Sequence, residues 1–463
     1  MKPYSEYKPT GLAWLPEIPK HWKLVRGKNL FKKVNRPVEE GSEVITCFRD
    51  GEVTLRKNRR ATGFTESLKE IGYQGIKKGD LVIHVMDAFA GAIGVSDSDG
   101  KGTPVYNVCI ARAPDTTNNY YFAYIVRVMA QTGYIQSLYR GIRERSSDFR
   151  FEVFANQTLP FPPADEQAQI VRYLDAMTAK INKLIRAKKR QIALLQEQKQ
   201  AIITQAVTRG LDPDVELKDS GIDWLGPIPK HWTQNKVGHF YKSVLGKMLA
   251  STPSSNNDSY EKYLCAKDVH FSGIDLSDLK QMWFSPEEKK KYMLQKGDLL
   301  IVEGGAGAGG SAVFNGYEEP VYIQNSIHLL RPQNSKNVVK FLYYWLYSLI
   351  GRKYIDFACN KATIPHYTGD KLFETPFLFI PLEEQKQIVA FLDNACEKYN
   401  KAISNLNDEI SHITEYKNSL NSSVVTGQVD VRNIAVEKVD PADLIAETDD
   451  DPTGEESLEE SEE

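Results

Sequence analysis

The residues that could most readily do chemistry are glycines that follow an apolar run. Residues 303–311 read Glu-Gly-Gly-Ala-Gly-Ala-Gly-Gly-Ser. Backbone N–H groups in such a run can cradle a phosphate or the S-adenosylmethionine cofactor. Here no Lys follows the glycines, and no helical pattern with a second acid comes after them. The matching stretch 87–94 keeps few of the glycines. The run therefore reads as a tight strand-to-strand turn. A base methyltransferase needs Asn or Asp, two prolines and an aromatic in succession, whereas residues 161–164 are Phe-Pro-Pro-Ala. There is no Pro-Cys pair, no H-x-E with C-x-x-C, and no hydrolase triad pattern. Glu66 and Lys69 match a nuclease carboxylate motif too loosely to use. Cys47, Cys109, Cys265, Cys359 and Cys396 are dispersed, which suits neither a zinc site nor a disulfide framework and fits a reducing compartment.

Basic side chains are the other candidates, because they neutralise phosphates and grip guanine edges. In the first half Arg56, Lys57, Arg59 and Arg60 form a dense patch. Arg140, Arg143 and Arg145 lead into Ser146 and Ser147. In the second half the matching stretch holds Asn360, Lys361, Thr363 and His366, with Lys247, Lys267 and His270 as further candidates. A solvated charged loop is the competing reading of any one of these.

The elements that must position these residues are written twice. Residues 10–22 read TGLAWLPEIPKHW and residues 220–232 read SGIDWLGPIPKHW, an offset of 210. Residues 163–175 (PADEQAQIVRYLD) match residues 381–393 (PLEEQKQIVAFLD) at an offset of 218, which also aligns Lys78-Gly-Asp with Lys296-Gly-Asp, and Asn107 with Asn325. His21 and His231 lie in the first repeated element and read as structural.

Each half is a globular segment followed by a helical one. Residues 165–206 and 382–426 contain neither Gly nor Pro, and each run opens with acids that suit a helix N-terminus. Ile170, Leu174, Ile181 and Leu195 in the first, and Ile388, Leu392, Leu406 and Ile413 in the second, recur at the three- and four-residue steps of a coiled-coil seam. The globular segments mix short strands (80–85, 298–302) with helices (121–131, 339–350). The expectation is an α/β (α+β) fold with an internal pseudo-twofold repeat. A first domain covers 1–163, a spacer helix 164–209, a linker and second domain 210–381, a second spacer helix 382–427 and a tail 428–463. The two helices, each needing to bury a long stripe, are expected to pack on each other.

The net charge of −3 over 463 residues averages two regions. From Glu437 onward there are 13 acids and one base, which leaves 57 bases against 48 acids before it. A basic body points mildly to nucleic acid, and the tail composition predicts disorder. The N-terminus has no apolar core of a signal peptide, and the most apolar run, 341–350, is too short to cross a bilayer, so a cytoplasmic protein without membrane partners is expected.

On the two repeated motifs, over about residues 10–430, the sequence resembles the specificity subunits of type I restriction–modification systems. The resemblance implies two target recognition domains that each read one half of a split double-stranded DNA sequence. It implies an antiparallel coiled coil between them and no active site or cofactor in this chain. Two modification subunits would bring S-adenosylmethionine and adenine N6 methylation, and two restriction subunits would bring ATP, Mg2+, translocation and cleavage. Two rivals stand beside it. A stand-alone methyltransferase would need a cofactor site, and a coiled-coil adaptor without a DNA role would leave the two basic loop sets unexplained.

Overall fold

A computed structural model describes residues 2–59, 71–138, 148–305, 307–351, 354–359, 365–437 and 439. The chain forms two compact units: Met1–Arg190 with Asn407–Glu463, and Gln191–Leu406.

The first unit contains β1 (Lys23–Arg26), β2 (Phe31–Lys33), β3 (Leu81–His84), β4 (Ile93–Val95), β5 (Tyr106–Ala111), α1 (Asn119–Gln131), β6 (Thr158–Phe161) and the start of α2 (Ala164–Arg209). Its central sheet runs β2-β5-β3-β4, all antiparallel. The second unit contains β7 (Thr233–Lys236), β8 (Tyr241–Leu245), β9 (Ser259–Leu264), β10 (Lys280–Phe284), β11 (Leu299–Val302), β12 (Ser311–Val313), β13 (Ile327–Pro332), α3 (Val339–Gly351), β14 (Pro376–Phe379) and the start of α4 (Leu382–Val425). Its sheet, β8-β13-β11-β12, repeats the first in order and direction.

The inner strands β3 and β11 are almost wholly apolar and bury side chains on both faces of their sheets. Leu299 and Ile301 enter the main core with Phe341, Trp345 and Trp232, while Leu300 and Val302 enter a second cluster with Leu264 and Ile323. In the first unit Leu81 and Ile83 join Trp22 and Phe122, and Val82 joins Ile45 and Val108. α1 starts where Asn118 caps it, its side-chain oxygen accepting from the Tyr120 amide at 3.0 Å.

The strand register corrects one pairing read from the sequence. Ile83 lies opposite Asn107, and Ile301 lies opposite His328. The position equivalent to Asn107 is therefore His328, whereas Asn325 sits in the turn before β13. The connection leading into β13 is three residues longer than the one leading into β5, so an offset that holds for β3 and β11 fails one strand later.

α2 and α4 pair antiparallel. In the first unit Lys417 donates to the Asn182 side chain at 3.1 Å and Lys188 pairs with Glu409, so partner numbers fall on one helix as they rise on the other. Ile170, Leu174 and Ile181 share a core with Leu420 and Val424, and Ile413 packs at its margin. In the second unit Lys199 donates to Asn400 at 2.8 Å, and Ile388 and Leu392 share a core with Ile203 and Val207. Leu195 and Leu406 are only half-buried. The ends of the seam are thus core, and its middle is thin. Among the described residues no helix is long and apolar enough to cross a membrane.

Candidate nucleic-acid interface

The repeated motifs meet at a joint that sets the frame of each globular segment. β1 pairs with β6 and β7 pairs with β14, so the strand after each Ile-Pro-Lys-His-Trp element lies beside the strand that leads into a long helix. This brings the His-Trp pair to the first helical turn. Glu166 accepts from the Trp22 indole at 2.9 Å, contacts His21 Nε2 at 2.8 Å and also accepts from the Tyr4 hydroxyl. Glu384 accepts from Trp232 at 3.0 Å and contacts His231 at 2.9 Å. Position 214, which matches Tyr4 at the 210 offset, is Asp, and among the described residues no phenol bonds the second carboxylate. Accordingly Glu166 is 3% exposed and Glu384 26%. Burial, and then the bond to Glu166, hold the Tyr4 phenol well above its ordinary range.

The next residue ties the same turn to the loop before α1 or α3. Gln167 accepts from the Asn118 amide at 2.9 Å and donates to the carbonyls of Pro162 (2.8 Å) and Thr116 (3.1 Å). Gln385 accepts from Val338 at 3.0 Å and donates to Ile380 (2.7 Å) and Lys336 (3.2 Å). The Lys-Gly-Asp pair also has a fixed duty. Asp80 is clamped by Arg36 and accepts from the Lys77 amide at 2.8 Å; Asp298 is clamped by Arg331 at 2.6 and 2.7 Å and accepts from the Gln295 amide at 2.7 Å. Sequence reasoning found these motifs but read the acids only as helix starters; the partner-bearing tryptophan in the other repeated element was the available signal.

At one end of the second sheet several connections gather. In the second unit these are the residues after β8, the β11–β12 connection, the turn before β13 and residues 365–367. The Tyr367 amide donates to Glu303 at 2.6 Å, and the Phe149 amide donates to Val85 at 3.0 Å, so Tyr367 and Phe149 return to the same strand end in the two units. The glycine run is the predicted turn. Gly305, Gly309 and Gly310 donate their amides to Pro365, Val302 and Gly307 at 3.1, 2.9 and 2.8 Å, which leaves those N–H groups committed within the protein. The His366 imidazole lies over Gly304, where a Cβ would meet Nδ1 at 2.8 Å.

The basic candidates divide. Arg59 is 7% exposed, contacts Asp50 and Glu52 at 2.8 and 3.0 Å, and stacks on Phe48. Lys247 is 11% exposed and pairs with Glu288 over the Phe284 ring. Both head groups are held in ion pairs within their own unit and are largely withdrawn from solvent. Arg56 donates to Thr46 at 3.1 Å. Lys57 reaches Glu43 at 2.7 Å and remains exposed. Lys267 is exposed, with Asp268 and Asp278 at 3.7 and 3.9 Å, and His270 is exposed. Arg60, Arg140, Arg143, Arg145, Ser146, Ser147, Asn360, Lys361 and Thr363, and the acidic tail from residue 440, lie outside the described residues.

Comparisons with known proteins agree with this architecture. The chain is 25% identical over 296 residues to the type I restriction enzyme MjaVIII specificity subunit of Methanocaldococcus jannaschii, covering 61% of this chain and 64% of that one. It is 23% identical over 265 residues to the EcoBI specificity subunit of Escherichia coli, covering 54% and 55%. The chain thus spans between half and two thirds of the length of these relatives. A chain solved in work on complex assembly and conformational transition of the type I R-M system shares the fold, with a TM-score of 0.64 at 15% identity over 89% of this chain and 99% of that one. The model of the type I restriction modification DNA specificity domain matches residues 67–194 and 229–412. These two matches each end within a long helix, and by them the chain belongs to the type I restriction modification DNA specificity domain family.

Proposed function

We propose that each unit reads one block of a split double-stranded DNA target, and that this chain directs partner subunits to that target. The observation that carries the reading is the duplication itself. Two sheets of one topology, each framed by its own Trp–Glu joint, end in loops of different composition. A constant frame with divergent loops suits two modules that recognise different sequences. The functional domains are proposed as 1–163 and 210–381, with spacers 164–209 and 382–427. The proposed DNA contacts are Arg56, Lys57, Lys267, His270 and His366, together with Arg60, Arg140, Arg143, Arg145, Ser146, Ser147, Asn360, Lys361 and Thr363. The chemistry is proposed to come from other chains: two modification subunits with S-adenosylmethionine, and two restriction subunits with ATP and Mg2+.

The test is co-expression with a type I modification subunit, followed by mapping N6-methyladenine in host DNA. A split motif with a fixed gap, absent when this chain is omitted, is the expected result. Methylation independent of this chain would overturn the reading and favour a coiled-coil adaptor.

A further inference from the structure

Residues 246–250, which follow β8, form a tip whose backbone is fixed and whose outward side chains are apolar. Gly246 and Lys247 donate their amides to Ile327 and Ile323 at 3.1 and 3.0 Å. The Lys247 carbonyl accepts from Asn325 at 2.9 Å, and the Ala250 carbonyl accepts from Trp283 at 3.2 Å. A Cβ on Gly246 would meet the Gln324 carbonyl oxygen at 2.3 Å, so the strand end is pressed onto that turn. Lys247 folds inward to Glu288. What remains pointing out is Met248, 74% exposed, and Leu249, 63% exposed. Two adjacent large apolar side chains held in water on a braced loop stand to gain from being covered.

The size of the tip decides what covers it. A stable protein partner buries about 800 Å² per side, far more than two side chains supply. The gap between two base pairs, by contrast, is filled by one or two side chains, and Met and Leu are among the residues that enter it. The surroundings fit the same occupant. Residues 251–257 carry four hydroxyls, two amides and no charge, the groups that contact phosphate and base edges. The chain passes from there through β9 to exposed Lys267 and His270. The Ala266 amide donates to Ser326 at 3.0 Å, beside the turn that holds Lys247.

We propose that Met248 and Leu249 are an apolar wedge that enters a base step of double-stranded DNA and opens it. This rests on the DNA reading proposed above. The experiment uses the assembled modification complex and duplexes carrying the mapped target, with 2-aminopurine placed at successive positions other than the methylated adenine. Wild type is expected to raise 2-aminopurine fluorescence at one step in the second unit's block. Met248→Ala/Leu249→Ala abolishes the rise and weakens binding by about tenfold or more, and an abasic site at that step restores most of the loss because the unstacking cost is already met. The salt dependence of binding stays unchanged, since no phosphate contact is removed. Equal affinity and unchanged fluorescence in the variant overturn the wedge. Loss of the modification subunit from the variant complex also overturns it, by assigning the tip to a protein partner. Wild type showing no sequence preference at all overturns the DNA reading and the wedge with it.

Discussion

The indole nitrogen of Trp22 lies 2.9 Å from a carboxylate oxygen of Glu166, across 144 residues of sequence, and Trp232 repeats this contact with Glu384 at 3.0 Å. The two joints differ in burial, so they differ in what their loss costs. Glu166→Ala leaves an indole N–H and a phenol without an acceptor in a buried site and is expected to destabilise the first unit by about 3 kcal/mol. Glu384→Ala, with water able to reach the site, is expected to cost about half of that. Urea unfolding of the two variants tests the order; an equal or larger loss for Glu384→Ala contradicts it.

Acid should weaken the second unit through His328. Burial holds its pKa down at about 4, below the ordinary 6.5, with Nδ1 3.2 Å from Ser243 Oγ. The folded state therefore resists a proton that the unfolded chain accepts. Stability is intact above about pH 6.5, falls as pH drops toward 4, and levels off below it. By pH 5 the loss from this group is about 2 kcal/mol. His328→Asn, which places in the second unit the residue the first unit has at 107, is expected to fall less between pH 7 and pH 5. Parallel pH profiles of Tm for the two proteins check this, and identical slopes contradict it.

The seam should be strong at its ends and weak in its middle. Leu174→Ala and Leu392→Ala each empty a fully buried site, at about 2–5 kcal/mol. Leu195→Ala and Leu406→Ala, at half-buried positions, are expected to cost about 1 kcal/mol or less. Thermal unfolding of the four variants ranks them.

If the spacer sets the gap, adding one turn to both helices should widen the gap in the methylated motif and leave both blocks unchanged. Exchanging residues 20–160 for those of another such protein should change one block only. Methylation mapping reads both; altered blocks with an unaltered gap would contradict the first.

The segment after α4 closes the first unit. Val431 is fully buried, Gln169 donates to the carbonyls of Val431 and Ile434 at 3.0 and 2.8 Å, and the Asp430 amide donates to Lys2 at 3.0 Å. Ending the chain after Gly427 is expected to lower Tm by several degrees, while ending it after Glu437 leaves Tm unchanged. Equal Tm values for the two truncations would contradict this.

What was legible in the sequence is what local periodicity writes. The long helices, expected at 165–206 and 382–426, run Ala164–Arg209 and Leu382–Val425, and the helices expected at 121–131 and 339–350 run Asn119–Gln131 and Val339–Gly351. What was illegible depends on residues far apart. Nothing local marks Glu166 as the partner of Trp22. Nothing in a run of charges says that Arg59 is spent on Asp50 and Glu52 while Lys57 stays exposed. The pairing of Asn107 with Asn325 failed for a related reason: a fixed offset cannot register a loop that is longer in one copy.

The first unit is built from the two ends of the chain, Met1–Arg190 and Asn407–Glu463, with the whole second unit in between. On a ribosome its beginning emerges first, yet the residues that finish its core, Leu420, Val424 and Val431, emerge last. At synthesis rates of about 5–20 residues per second, the nascent first unit waits tens of seconds with Trp22, Ile170 and Leu174 incompletely covered. The second unit, contiguous from Gln191 to Leu406, can finish while the first is still waiting. The half of the molecule translated second is then the half that matures first, and during that interval the apolar stripe at the start of α2 stays uncovered.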